Sequence, residues 1–258
     1  MKISFIILLL FALLGCSSNK FPKKNYQQCI ILSNKKQVGD TTFIEIANTL
    51  MCPLRFNFFS KNDTLNKILK KRDTITIKEF SDTRIRFYNK NKHQIEFKAD
   101  FGSCEKIVTK KPIQKPFRKN KYYEVVQGYG GTYSHNKENS YYAIDFALKT
   151  GDTICSADDG YVVGVIKDYE FGGTTKKWRT SDKSNFITIY HPETGIFTQY
   201  AHLKQNGSLV MVGDTIKKGQ PIGLSGNTGF SSGEHLHFNT LIPKKGKGFI
   251  STPVDFEN

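Results

Sequence analysis

The chain has 258 residues, which is enough for two modest domains or for one domain with a long extension. Apolar residues make up 38% of it and charged residues 24%, and this composition excludes a largely disordered chain. The net charge of +15 lies in the N-terminal part, because residues 17–121 contain 24 Lys or Arg and nine Asp or Glu, whereas residues 122–258 contain 13 and 14.

The first sixteen residues have the pattern of an export signal. Met1 and Lys2 form a short positive start, and residues 3–14 form an apolar run that is too short for a stable membrane span. The run ends in Gly15-Cys16, which resembles the lipobox of bacterial lipoproteins. This resemblance implies a signal peptide over residues 1–16, lipid on Cys16 that attaches the protein to a membrane, and a location in the cell envelope. Ser17 after Cys16 favours the outer membrane, facing the periplasm; the alternative is an ordinary secretory signal.

Export limits what the basic region can contact. A basic face can bind nucleic acid, but an exported protein rarely meets it, so we predict no nucleic-acid partner. Three interpretations of the basic region stay open: it binds anionic envelope polymers, it binds lipid headgroups, or it is only a solvated face. The sequence identifies no protein partner.

Four cysteines remain besides Cys16, and none of them belongs to a C-x-x-C pair, so no zinc ribbon is predicted. Cys155 lies where a small buried residue fits, and we expect it in the core. At most one disulfide is expected among Cys29, Cys52 and Cys104 in an oxidising compartment, with its connectivity open.

After a tether over residues 17–25, residues 26–104 are predicted to form a small β-sandwich. Short β-branched and aromatic segments predict strands at 29–32, 42–47, 54–58, 74–77 and 84–88. Turn signals separate them at Asn34, at 39–40, at 62–63 and at 89–91. Residues 105–121, which are basic and contain Pro112 and Pro116, are predicted to be a linker.

Residues 122–258 are predicted to form a second, mainly antiparallel β domain. The tetrapeptide Gly-Asp-Thr-Ile occurs at 151–154 and again at 213–216, and each copy leads into a further strand-like segment, which indicates an internal duplication. Between the copies, segments 185–191 and 196–203 flank a turn at 192–195 and predict a β-hairpin.

Candidate chemistry is concentrated in this second domain. On a strand, His235 and His237 point to one sheet face while Leu236 and Phe238 point to the other. Asp145 likewise opposes its large apolar neighbours Ile144 and Phe146, and His202 is expected to share a strand face with Tyr200. Imidazoles with one carboxylate and an open position are the composition of a catalytic zinc site.

Three segments resemble the lysostaphin-type zinc endopeptidases of the M23 peptidase family. They are QGYGGTYSH at 127–135 with YAIDF at 142–146, QYAHL at 199–203, and GNTGFSSGEHLHF at 226–238. The resemblance covers about residues 122–242 and none of 26–103. It implies one Zn²⁺ held by His135, Asp145 and His237, with His202 and His235 as catalytic residues of the cleft.

The resemblance also implies the reaction, a zinc-dependent hydrolysis of peptide cross-links or stem peptides of bacterial peptidoglycan. Zinc lowers the pKa of water and polarises the peptide carbonyl, while His202 or His235 can stabilise the oxyanion or transfer protons. A D,D- or D,L-type cut is expected, because no pentaglycine-binding module is evident. Departures from the family are Glu234 before the His-x-His pair and a longer segment over 168–183. His191 is expected to be structural.

Two other functions stay open on the sequence. The protein can be a non-hydrolytic or autoinhibited regulator of cell-wall hydrolases, with the basic N-terminal region over the site. The segment 213–220 also resembles hairpins of biotinyl and lipoyl carrier domains, but the export signal and the His-x-His pair oppose that interpretation.

Overall fold

The computed structural model describes residues 31–71, 74–106, 108–175, 178, 184–246 and 248–257. The predicted signal peptide, the lipidation site Cys16, the tether and Cys29 lie outside these residues and stay predictions. No helix within the described ranges has the length and apolar character needed to cross a membrane.

Two antiparallel sheets pack face to face in the N-terminal part. The strands are β1 (Ile31–Val38), β2 (Thr41–Asn48), β3 (Leu54–Phe59), β4 (Ile75–Ile77), β5 (Asp82–Tyr88) and β6 (Glu96–Phe101). One sheet has the order β1-β2-β5 and the other β4-β3-β6. Alternate residues of β2, Ile44 and Ile46, are buried in the shared core, and the Phe58 and Phe87 rings meet at 4.9 Å between the sheets. The predicted β-sandwich is confirmed.

Two elements of this sandwich were not predicted from the sequence. Helix α1 (Asp63–Lys70) begins where a turn was predicted, because Asn62 caps it by accepting a hydrogen bond from the Leu65 backbone N–H at 2.9 Å, and Asn favours helix N-caps as well as turns. Leu65 and Leu69 then bury its apolar side. Strand β6 was not predicted although its sequence alternates polar and apolar residues, with Phe97, Ala99 and Phe101 packed against the sandwich core.

An eight-stranded antiparallel sheet organises the C-terminal part. Its strands are β7 (Val125–Gln127), β8 (Ile144–Phe146), β10 (Gly160–Ile166), β12 (Phe186–His191), β13 (Ile196–Ala201), β15 (Thr215–Ile216), β18 (Leu236–Pro243) and β19 (Phe249–Ser251). The order is β15-β10-β12-β13-β18-β8-β7, with β19 also pairing with β18. The predicted hairpin is β12–β13, with Gly195 at φ +75° in its turn.

A smaller sheet shows the internal duplication. It consists of β14 (Leu203–Ser208), β16 (Pro221–Ser225) and β9 (Thr153–Cys155), while β11 (Gly172–Gly173) and β17 (Gly229–Phe230) form a short parallel pair. The two Gly-Asp-Thr-Ile copies have the same turn, because both glycines adopt positive φ and both aspartates accept a backbone N–H three residues earlier at 2.8 Å. Strands that follow one copy pair with strands of the other copy, since β9 pairs with β16 and β15 pairs with β10.

The large sheet has two different faces. Leu236 and Phe238 of β18 point into the C-terminal core, together with Ile144 and Phe146 of β8. The opposite face carries His237 at one end of β18 and Leu241 at the other. Leu241 joins Val163, Tyr190 and Phe197 of neighbouring strands in contact with the sandwich core, so the N-terminal part covers one end of this face.

The segment predicted as a basic linker packs onto the C-terminal part. Ile113 and Phe117 are buried in the C-terminal core, and the Ile113 backbone bonds to Asp255 and Glu257 near the end of the chain. Ile113 and Phe117 therefore fix the segment, and the C-terminal core begins within it.

Arg55 joins the two parts of the molecule although it is only 1% exposed. Its guanidinium donates to the backbone carbonyls of Phe101 at 3.0 Å, Gly248 at 2.9 Å and Lys244. Gly102 supports the same seam, because its φ is +85° and an added Cβ would lie 2.4 Å from Pro243. The seam is therefore closely packed and held by a buried charge.

Arg55→Ala is expected to lower the free energy of unfolding by about 3 kcal/mol, because three carbonyl oxygens lose their donor. Urea unfolding followed by near-UV circular dichroism measures the loss. Arg84→Ala is the matched control, since the Arg84 side chain is 53% exposed, and its loss should stay below about 1 kcal/mol. Equal losses in the two variants would contradict the role given to Arg55.

Candidate metal centre

Two neighbouring strands bring a carboxylate and an imidazole together. Asp145 of β8 lies directly opposite His237 of β18 in the antiparallel register. Cross-strand partners share a sheet face, and the flanking residues of both strands are anchored in the core on the other face. Asp145 Oδ1 and His237 Nδ1 are consequently 2.9 Å apart.

His135 completes the cluster from the loop between β7 and β8. Its side chain is fully buried, and its Nδ1–H donates to the Gly128 carbonyl at 2.9 Å. That bond leaves Nε2 with a free lone pair, which faces Asp145 Oδ1 and His237 Nδ1, both at 3.2 Å. The three predicted ligands thus converge on one point.

The separations of these donor atoms fit a zinc ion. Donors bound at about 2.0–2.1 Å in a tetrahedral site lie about 3.3–3.4 Å apart. The three observed separations are 2.9, 3.2 and 3.2 Å. Within the described ranges this is the one His/Cys/Asp/Glu group with such spacing. Two imidazole nitrogens, one carboxylate oxygen and a side open to the cleft make the donor set of a catalytic zinc site.

The cluster has strong internal electrostatics. Burial disfavours the ionised form of Asp145, but its contacts with His135 and His237 outweigh this effect and hold the carboxyl pKa well below its usual range. Burial likewise disfavours protonated His135, but bonding to Asp145 raises its pKa. The carboxylate is therefore ionised and able to serve as a ligand.

His202 and His235 stand beside this cluster with their ring centroids 4.5 Å apart. The His202 Nδ1–H donates to the Thr228 carbonyl at 2.7 Å, and the His235 Nδ1–H donates to the Gly233 carbonyl at 2.9 Å. Each Nε2 is thereby left without this proton and can accept one. Burial, with His235 and His237 nearby, lowers the pKa of His202 to about 3.

The expectation that His202 shares a strand face with Tyr200 is wrong. Strand β13 ends at Ala201, and His202 takes a left-handed backbone with φ +64°. Tyr200 faces the C-terminal core, whereas the positive φ of His202 turns its side chain into the cleft. Ser184 Oγ supports this conformation by accepting the His202 backbone N–H at 2.9 Å.

An open cleft of about 250 Å³ runs past these side chains. Tyr133 stacks on Phe230 with a centroid distance of 5.2 Å and forms an aromatic wall. The cleft is lined by Val126, Gln127, Tyr133, Ser134, Asp145, His202, Phe230, Ser232, Gly233, Glu234 and His235. No residue of the described part of the sandwich, 31–71 and 74–101, is among them.

Other residues noted in the sequence have structural contacts. Hydrogen bonds from the Thr150 side chain and from the Thr150 backbone N–H, the latter at 3.2 Å, lower the pKa of Glu234, which therefore ties two loops together instead of orienting an imidazole. His191 is buried between the Asp159 carbonyl at 2.7 Å and Thr198 Oγ1 at 2.8 Å, away from the metal cluster. Cys155 is buried in the core, as expected.

The cysteines of the described ranges do not form a disulfide with one another. A bridge between Cys52 and Cys104 is therefore excluded. A pairing that involves Cys29 lies outside the described residues.

One polar residue of the site, Gln127, was not predicted from the sequence. Its Nε2 donates to Asp145 Oδ2 at 2.8 Å and to Ser134 Oγ at 2.7 Å. The available signal was an amide residue directly before the glycine-rich segment that leads to His135.

The purified protein is expected to bind one zinc ion and to be stabilised by about 2.7 kcal/mol when free zinc exceeds Kd a hundredfold. Thermal unfolding with and without zinc measures this gain. His135→Ala and His237→Ala should abolish it, because each removes one of three donors, whereas His202→Ala should keep it. A gain that survives His135→Ala would place the ion elsewhere.

Residues 139–248 match the family model described as Peptidase family M23. The matched range contains Asp145, His202, His235 and His237, and it begins four residues after His135. His135 therefore enters the site through its position in the structure, independently of the family match.

Two curated relatives and one solved structure are similar to parts of the chain. Peptidoglycan DD-endopeptidase ShyA of Vibrio cholerae is 35% identical over 98 residues, which are 38% of this chain and 19% of that protein. Glycyl-glycine endopeptidase ALE-1 of Staphylococcus capitis is 30% identical over 135 residues, 52% of this chain and 33% of that protein. The catalytic domain of lysostaphin from Staphylococcus simulans is 29% identical, covering 46% of this chain and 80% of that one with a TM-score of 0.35. The chain spans between about a fifth and a third of the length of the two curated relatives.

Proposed function

We propose that this chain is a member of peptidase family M23, whose model matches residues 139–248, and that it is a zinc-dependent endopeptidase that hydrolyses peptide cross-links or stem peptides of bacterial peptidoglycan. Two relatives support the substrate class by their names, one a peptidoglycan DD-endopeptidase and the other a glycyl-glycine endopeptidase. Because these names specify different bonds, the proposal covers the polymer and leaves the bond to experiment.

The observation that carries this proposal is the convergence of five side chains at one cleft. His135, Asp145 and His237 present three donor atoms within 3.2 Å of one another, and His202 and His235 stand next to them. A relative that had lost catalysis would not need to keep both the three metal donors and the two histidines of the cleft. Zinc held by the three donors would supply a Lewis acid that lowers the pKa of water and polarises a peptide carbonyl.

The chain's own residues supply proton transfer and binding. With Nδ1 fixed on a backbone carbonyl, the His202 and His235 rings each have Nε2 available to accept a proton from attacking water or to return one to the leaving amine. When protonated, the same Nε2 can donate to the developing oxyanion. Tyr133 and Phe230 form an aromatic wall against which a substrate can pack.

The proposed location is the cell envelope, with lipid on Cys16 attaching the protein to a membrane and placing it beside its polymer. Support for this comes from the sequence, in the apolar run over residues 3–14 and the Gly15-Cys16 pair. The alternative function, a non-hydrolytic or autoinhibited regulator of cell-wall hydrolases, keeps the same location and differs only in hydrolysis. The open cleft, which the described sandwich residues do not line, favours hydrolysis.

Protein lacking residues 1–16 is expected to release peptides with new amino and carboxyl termini from isolated sacculi when zinc is present. Mass spectrometry of the products identifies the bond. No release by folded, zinc-loaded protein would favour the regulator.

His202→Ala and His235→Ala are expected to lower kcat by about 10²–10⁴-fold while the zinc content stays at one per chain, because general acid–base groups contribute on that scale. His237→Ala should lose both zinc and activity. Zinc analysis of the same preparations separates the two classes, and loss of zinc from His202→Ala would count against its proposed role.

A further inference from the structure

The two oxygens of the Asp145 carboxylate have different neighbours. Oδ1 faces His135 Nε2 and His237 Nδ1, whereas Oδ2 accepts a hydrogen bond from Gln127 Nε2 at 2.8 Å. We propose that Gln127 is a positioning residue of the metal centre, which holds Oδ2 so that Asp145 offers the metal Oδ1 alone. This inference rests on the proposed zinc site and adds a residue that determines its affinity.

A β-bulge places Gln127 beside the carboxylate. Val125 pairs with Phe146, and in a regular antiparallel ladder Val126 would then lie opposite Asp145. The register instead shifts by one residue, so Gln127 is the partner of Asp145 and Val126 is the extra residue. Bulges redirect side chains in this way. Here the bulge places the amide of Gln127 next to the ligand Asp145, where a regular register would place Val126.

Hydrogen bonding fixes the orientation of this amide. An ionised carboxylate only accepts hydrogen bonds, so the Gln127 NH₂ group, and not its carbonyl oxygen, must face Oδ2. The second amide hydrogen goes to Ser134 Oγ at 2.7 Å, next to the ligand His135. Gly131 leaves room for the side chain, since an added Cβ there would lie 2.5 Å from Gln127 Cγ. One amide thus ties the two ligand-bearing segments together.

The same bond limits rotation of the Asp145 carboxylate. On the Oδ2 side, His235 Nε2 lies 3.8 Å away, beyond hydrogen-bond distance, so Gln127 and not His235 holds this oxygen. Without Gln127, the carboxylate can rotate, which would weaken the metal site.

Gln127→Met in the full chain tests the proposal, because methionine keeps the length of the side chain and removes both donors. Zinc affinity is measured by competition with a chromophoric chelator, and it is expected to fall 10–100-fold, the usual effect of losing a partner that orients a ligand. Gln199→Met is the matched control. Gln199 is a half-buried glutamine on β13 of the same sheet, its Nε2 contacts Thr188 Oγ1, and its replacement should leave zinc affinity unchanged.

Zinc affinity of Gln127→Met equal to that of the wild type and of Gln199→Met would overturn the proposal while leaving the zinc site intact. A wild-type protein that binds no zinc would overturn the proposed function and this inference together. If Gln127→Met does not fold, hydrogen exchange of the side-chain amide protons in the wild-type protein tests the role of Gln127 instead. The Gln127 side-chain NH₂ protons should exchange more slowly than those of exposed Gln94 and shift on zinc addition, and equal exchange rates without a shift would refute the role.

Discussion

The alternation of side chains along two paired strands is the constraint on which this site depends. Ile144 and Phe146 of β8 and Leu236 and Phe238 of β18 are packed in one core, so the residues between them must face the other side of the sheet. Large buried side chains of this kind contribute about 1.5–3 kcal/mol each, which makes a slip in register costly. Asp145 and His237 are therefore held side by side before any metal binds. The loop between β7 and β8, which carries His135, adds the third donor.

The N-terminal sandwich packs against the face of the large sheet that carries His237. It covers the apolar end with Val163, Tyr190, Phe197 and Leu241, and it leaves the end with the metal ligands open. Arg55 closes the seam through three backbone carbonyls. This division gives the sandwich a structural role, because without it an aromatic surface of the sheet would face solvent.

The sequence predicted the features that depend on local pattern and missed those that depend on tertiary contacts. Strand alternation and the His-x-His pair predicted β8, β18, Asp145, His235 and His237, whereas His135 and His202 were identified through the family resemblance. The left-handed backbone of His202, the bulge at Val126 and the contact of Gln127 with Asp145 were not accessible, because each arises from pairing between distant segments. Helix α1 was missed because Asn62 is a residue that serves turns and N-caps alike. The linker was predicted from its charge, while its burial depends on Ile113 and Phe117 meeting the far end of the chain.

The central claim is that His135, Asp145 and His237 hold one zinc ion at the cleft. Anomalous diffraction on both sides of the zinc absorption edge, from crystals grown with zinc, tests it most directly. The account predicts a single strong peak at about 2.0–2.1 Å from His135 Nε2, Asp145 Oδ1 and His237 Nδ1. A peak at another set of side chains, or none at this cluster in a zinc-saturated crystal, would contradict it.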